Sequence, residues 1–233
     1  MSPGGPSETT PNENSLQPKR PWIKEPFCGI SHGLGILLGI AGLVALLILA
    51  QGRTWHVVGF AIYGASLIVL YTVSTLYHSL HVSPRWSDRL QQLDYSAIFL
   101  LIAGTYAPVC LVSLRGTWGW SLLAVEYGLA ILGIGLVFFA KRAPQWIRVV
   151  LCVCMGWLAL IAVPSMRQSM PPAAIGWLLA GGVVYSIGTI IYATDRPHLW
   201  PGKFSAHDLF HIFVLGGSAC HFFVMLRFVA PLA

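Results

Sequence analysis

Charge is what this chain has least of. Asp, Glu, Lys and Arg make up 9% of its 233 residues, against about 25% in an ordinary soluble domain. With 56% hydrophobic residues beside that deficit, a water-exposed globule is excluded and an integral membrane protein is implied. Polar connectors are equally short: "QGRT", "HVSPRWSD", "RGT", "KRAPQ", "SMRQSMPP" and "TDRPHLWPGKFS" are all that separate the apolar runs, which leaves no room for a separate soluble domain. The stretch from Met1 to Lys24 has no apolar core of a secretory signal and is rich in Pro, Ser, Thr, Asn and Glu. It is predicted as a disordered cytoplasmic tail over residues 1–24, ahead of one transmembrane domain over residues 25–233.

Cysteine is sparse too. The five cysteines (Cys28, Cys110, Cys152, Cys154 and Cys220) fall inside or beside apolar runs, and their spacing forms no zinc ribbon or secreted disulfide framework. Cys152 and Cys154 look like a ligand pair, but a spacing of two on a helix points them to nearly opposite faces, so both are read as core thiols.

What the chain has in abundance is long apolar runs. A helix needs about 20 apolar residues to cross a bilayer, and seven stretches qualify: Phe27 to Ala50, His56 to Leu80, Leu90 to Leu114, Trp118 to Ala140, Trp146 to Pro164, Ala174 to Ala193 and Ala206 to Val229. The predicted fold is therefore all-α, a polytopic bundle of seven transmembrane helices. Small residues supply packing surfaces at Gly35-x-x-x-Gly39, Gly176-x-x-x-Ala180 and Gly182-x-x-x-Ser186.

The basic residues explain the formal charge of +6 without any nucleic-acid partner, because they sit at span ends. Of the 14 lysines and arginines, ten fall on the side that holds the N-terminus and four (Arg53, Arg115, Arg167 and Arg227) on the other. This asymmetry predicts a cytoplasmic N-terminus and an external C-terminus in a cell membrane. A receptor coupled to G proteins should be inverted relative to that arrangement.

The few ionisable residues within the spans are not scattered. Ser74 and His78 lie one turn apart near the inner end of the second span, Asp94 sits just past the first turn of the third, and His207 and His211 share a face at the start of the seventh. Glu25, Ser31 and His32 reach the same level from the first span. Each such group costs about 2.5–3.5 kcal/mol to insert mid-span, and less near the interface, so a cluster at one depth points to a site. Three imidazoles suit Zn²⁺, which takes neutral histidine nitrogens at about 2.0–2.1 Å and in catalytic sites keeps a fourth position open. His78, His207 and His211 satisfy that pattern, and a nearby carboxylate can orient water.

Other polar residues have plainer expectations. Asp208, three residues after Ser205, completes a capping box and points away from the ligand face. Asp88 or Ser87 is expected to cap the third helix, leaving Asp94 too deep to serve the helix dipole. His81 falls in a loop, His221 is about 15 Å along the helix from His211, and Glu126 lies alone in the outer half of the fourth span.

Together, "EPFCGISH", "STLYH", the aspartate of "QLDYSAIFLLIAGTYAP" and "SAHDLFHIFV" resemble the haemolysin III-related family. Its wider relatives are the progestin and adipoQ receptors, grouped with alkaline ceramidases in the CREST superfamily of proposed membrane hydrolases. The resemblance covers all seven spans. It implies a zinc ion near the cytoplasmic side held by His78, His207 and His211, with Asp94 beside the water at that ion and Ser74 matching the family's second-span serine, which would orient Asp94 or the water or stabilise the oxyanion. The expected function is a zinc-dependent intramembrane hydrolase of lipid amide or ester bonds, with a membrane lipid as substrate and Asp94 and Ser74 as its catalytic pair. The alternatives are a non-enzymatic, zinc-containing membrane sensor or regulator, in which Asp94 or Asp208 supplies a fourth ligand, and a pore-forming haemolysin. No span carries the continuous polar stripe that a hydrated pore needs.

Overall fold

The computed structural model describes residues 22–140, 144–200 and 202–232. The predicted disordered tail therefore lies almost wholly outside the described residues. Seven membrane-spanning helices are present among the described residues: α1 (Pro26–Leu49), α2 (Thr54–Ser79), α3 (Pro84–Ser113), α4 (Thr117–Phe139), α5 (Gln145–Ser169), α6 (Pro172–Thr194) and α7 (Ala206–Val229). No strand occurs among them beyond an isolated bridge between Trp200 and Phe204.

Apolar composition makes these segments helical in a bilayer, because only a helix satisfies every backbone group internally where no water is available. Several helices begin on proline, whose missing N–H is no loss in a first turn. This accounts for one difference from expectation. α3 starts at Pro84, with Ser83 at its N-cap position, and not at a cap on Ser87 or Asp88. Its polar first turns stand ahead of the apolar run, so hydropathy marks the span and not the whole helix. α5 also exceeds its expected length, passing Pro164 to Ser169. A 3-10 turn over Leu158–Ala162 resets the hydrogen-bond ladder, and Pro164 then sits in the first turn of the segment that follows.

The bundle is built by neighbours in sequence. α1 packs on α2, α2 on α3, α3 on α4 and α6 on α7, while α7 returns to α1. The α1 glycines act as expected: a Cβ on Gly35 would meet the Tyr71 ring at 2.9 Å, and one on Gly39 would meet Leu67 and Ile68 at 3.3 Å. On α6 the close approach falls elsewhere. Gly176 faces open space, whereas Gly181 lies against His221 and Gly188 against Phe213.

Each end of the bundle has its own tie. At one, the chain before α1 pairs with the end of α2 through Glu25 N–H to His78 O (2.8 Å). At the other, Arg53 Nη1 donates to Ala230 O (2.7 Å) and Leu232 O (2.8 Å), joining the α1–α2 connection to the C-terminal segment. The core thiol reading holds only in part, since Cys152 is half-buried while Cys154 is exposed on the outer surface of α5.

Candidate metal centre

The end of α2, the start of α7 and the residue before α1 converge on one point. His207 and His211 lie one turn apart on α7, as their spacing requires, and His78 reaches them from the last turn of α2. The Nε2 atoms of His78 and His207 are 3.4 Å apart, and those of His207 and His211 are 3.2 Å apart. His78 and His211 are each 1% exposed.

Proton counting shows why these nitrogens suit a cation. His78 Nδ1 lies 2.6 Å from Glu25 Oε2, so its N–H is committed to that carboxylate and its Nε2 presents a lone pair. One N–H on His207 can serve only one of its two neighbours. A single cation satisfies all three lone pairs. The spacing also matches, since bonds of about 2.0–2.1 Å at tetrahedral angles place nitrogen ligands about 3.3 Å apart. Cys28 Sγ joins the three nitrogens in a group whose atoms all lie within 4.8 Å of one another, so Cys28, His78, His207 and His211 could hold a metal ion.

Around this group stand the supporting side chains. Glu25 is the carboxylate behind His78, an arrangement that fixes the tautomer of a metal-binding imidazole and raises its basicity. The hydrogen bond from His78, together with positive charge that includes Lys24 Nζ at 3.3 Å, holds the Glu25 carboxyl down to about 2 despite burial that would raise it. His32 stacks on His211 with ring centroids 3.9 Å apart, and neither of its nitrogens has a hydrogen-bond partner among the described residues.

The two expected catalytic residues stand beside this group. Ser74 is buried on α2 one turn before His78, and its hydroxyl is within hydrogen-bonding reach of the Asp94 carboxylate on α3. Asp94 and Ser74 share a cavity of about 170 Å³ with His207 and His211. The cavity runs between α3, α5, α6 and α7 past Ile98, Ile102, Val153 and Val214 to His221. Its walls are mostly apolar, and Thr105, Tyr106, Ser186 and His221 add polar groups away from the His207 and His211 end.

Asp208 caps α7 as expected: Ser205 N–H and Oγ–H donate to its Oδ2 at 2.7 and 2.8 Å, and its own N–H donates to Ser205 Oγ at 3.1 Å. It is nonetheless next to the site, because its other oxygen accepts the Cys28 thiol at 3.1 Å. Cys28 is the group that sequence reasoning missed. It stands four residues before His32 and three after Glu25, and the same face rule that paired His207 with His211 places it with them. Glu126 and His221 stay outside the cluster, fully buried Glu126 on α4 and His221 against the Tyr185 ring at 5.6 Å. His81 is exposed, as its loop position suggests.

Comparison with known proteins agrees with this architecture. The sequence pattern of the family described as Haemolysin-III related matches residues 20–222. Hemolysin-3 of Bacillus cereus is 42% identical over 217 residues, covering 91% of this chain and 95% of that protein. The Hemolysin-3 homolog of Bacillus subtilis is 43% identical over 208 residues, covering 88% and 94%. More distantly, the Adiponectin receptor protein of Drosophila melanogaster is 28% identical over 187 residues, covering 73% of this chain and 42% of that protein. Seven apolar helices, a histidine cluster at one end of them and a match over nearly the whole chain lead to one conclusion: this membrane protein belongs to the haemolysin-III related family.

Proposed function

We propose that the protein is a zinc-dependent hydrolase acting within the membrane on the amide or ester bond of a lipid. The observation that carries this reading is the approach of His207 Nε2 to the Nε2 atoms of His78 and His211, at 3.4 and 3.2 Å, beside a Ser74–Asp94 pair that shares a mostly apolar cavity with His207 and His211. Zn²⁺ held by His78, His207 and His211 would supply a Lewis acid for the carbonyl and bring the pKa of a water down to about 7.

The rest of the chemistry belongs to the chain. Asp94 takes the proton of the attacking water on a carboxylate oxygen and returns it to the leaving amine or alcohol. Ser74 fixes the orientation of that carboxylate. Glu25 holds the His78 ring in the tautomer that leaves Nε2 free. The apolar cavity receives an acyl chain and excludes bulk water from the reacting bond. With the N-terminus on the cytoplasmic side of the cell membrane, the histidine end lies at the depth where a lipid's ester or amide bond meets its head group.

Metal analysis and lipidomics together test the reading. Cells expressing the wild type should show a selective change in one lipid class that Asp94→Asn abolishes while zinc stays bound. An identical lipid profile in both would sink the hydrolase reading. A second reading, a non-enzymatic regulator with a structural metal, is favoured by one observation: Cys28 Sγ lies where a fourth protein ligand would close the site.

A further inference from the structure

We propose that Cys28 is an exchangeable fourth ligand, which closes the metal centre at rest and must leave before a carbonyl or water can reach the ion. The inference rests on the metal-binding part of the reading above and not on hydrolysis. Its geometry begins with the sulfur. Cys28 is 1% exposed in the first turn of α1, and its Sγ is the non-histidine member of the group of four mutually close ligand atoms.

The competing oxygens are otherwise engaged. Asp208 Oδ2 accepts two hydrogen bonds from Ser205, and Oδ1 accepts the thiol. Asp94 is engaged by Ser74 and stands outside the group of four. A thiolate is moreover the softer donor, and His₃Cys is a set that zinc accepts with tetrahedral geometry.

The contact with Asp208 gives the exchange its route. The thiol hydrogen already points at Oδ1, 3.1 Å from the sulfur. As the sulfur–metal bond forms, the S–H bond breaks and its proton passes to the Asp208 carboxylate, at the exposed start of α7. When a carbonyl or water displaces the sulfur, the proton returns and the thiol rests again on Asp208. One residue thus separates a closed structural centre from an open catalytic one, and both readings of the metal describe states of the same protein.

X-ray absorption at the zinc edge of the purified full-length protein tests this without an activity assay. The wild type should show one sulfur scatterer at about 2.3 Å beside nitrogen scatterers at about 2.0–2.1 Å. Cys28→Ser should keep stoichiometric zinc and lose the sulfur. A stoichiometric wild-type site containing only nitrogen and oxygen would overturn the inference while leaving the metal reading intact, and so would sulfur that persists in Cys28→Ser. Protein that binds no zinc overturns both. Cobalt substitution gives a second readout: the sulfur-to-cobalt charge-transfer band should be present in the wild type and absent from Cys28→Ser.

Discussion

His78 Nδ1 and Glu25 Oε2 are 2.6 Å apart, which ties the last turn of α2 to the residue that precedes α1. Removing the acceptor loosens both the ring and its tautomer. Glu25→Ala should therefore weaken metal binding by about 10–100-fold, the usual cost of losing a partner behind a ligating histidine. Competition against a chromophoric chelator measures it, and unchanged affinity would show that the contact does not serve the metal.

Loss of a ligand is harsher than loss of its support. His207→Ala or His211→Ala leaves two imidazoles, and the metal-to-protein ratio after purification should fall from about one toward zero. Elemental analysis of detergent-purified protein decides this. Full retention of metal in either variant would mean that the ion binds elsewhere.

Gly59 is the point on α2 that lies against the backbone of α3 at Pro108. A Cβ there would meet Pro108 Cα at 2.9 Å and Pro108 N at 3.3 Å, both backbone atoms that no rotamer change can move. Gly59→Ala should destabilise the bundle by about 1–3 kcal/mol, outweighing the roughly 1 kcal/mol that alanine contributes to helix propensity. A lowered thermal unfolding midpoint in detergent is the expected result, and an unchanged or raised one would argue against this contact.

The 3-10 turn in α5 depends on a side chain from another helix. Tyr106 Oη–H donates to Met155 O at 2.7 Å, and the oxygen accepts from Ala159 N–H at 2.8 Å. Tyr106→Phe takes the hydroxyl oxygen away from Ala159 N–H in an apolar setting, while Met155 O keeps its bond from Leu158 N–H, at a cost of about 1–3 kcal/mol. Faster amide exchange at Ala159, with α3 unaffected, would confirm the assignment. Unchanged protection there would refute it.

Ser205→Ala removes the hydroxyl that caps α7 and one of the two donors holding Asp208 Oδ2. About 0.5–2 kcal/mol of stability should be lost, as for other N-caps. Thermal unfolding reads the loss directly, and a stability equal to wild type would mean that the remaining Ser205 N–H contact suffices.

How much of this was legible beforehand depends on the kind of signal. Span number followed from apolar run length, because a bilayer imposes length and composition on every helix. The meeting of His78, His207 and His211 followed from helical periodicity and depth, which convert sequence spacing into position. The start of α3 did not, since proline at the first helical position needs no side-chain cap and leaves only a weak mark. Gly181 and Gly188 could not be told from Gly176, because which α6 face meets α7 is settled by the whole bundle. Cys28 was hidden by its chemistry: a cysteine in an apolar helix is usually filler, and only the approach of α7 to α1 gives it neighbours that matter.

His78 and His207 stand 129 positions apart, and Glu25 and Cys28 precede them both. A chain threaded into a bilayer from its N-terminus therefore presents one imidazole, one carboxylate and one thiol long before the final span exists. Two of the three imidazoles arrive last, so no truncated product can assemble the cluster. The four residues that could hold a metal ion therefore come together only once synthesis has delivered α7, and they join the first, second and last spans.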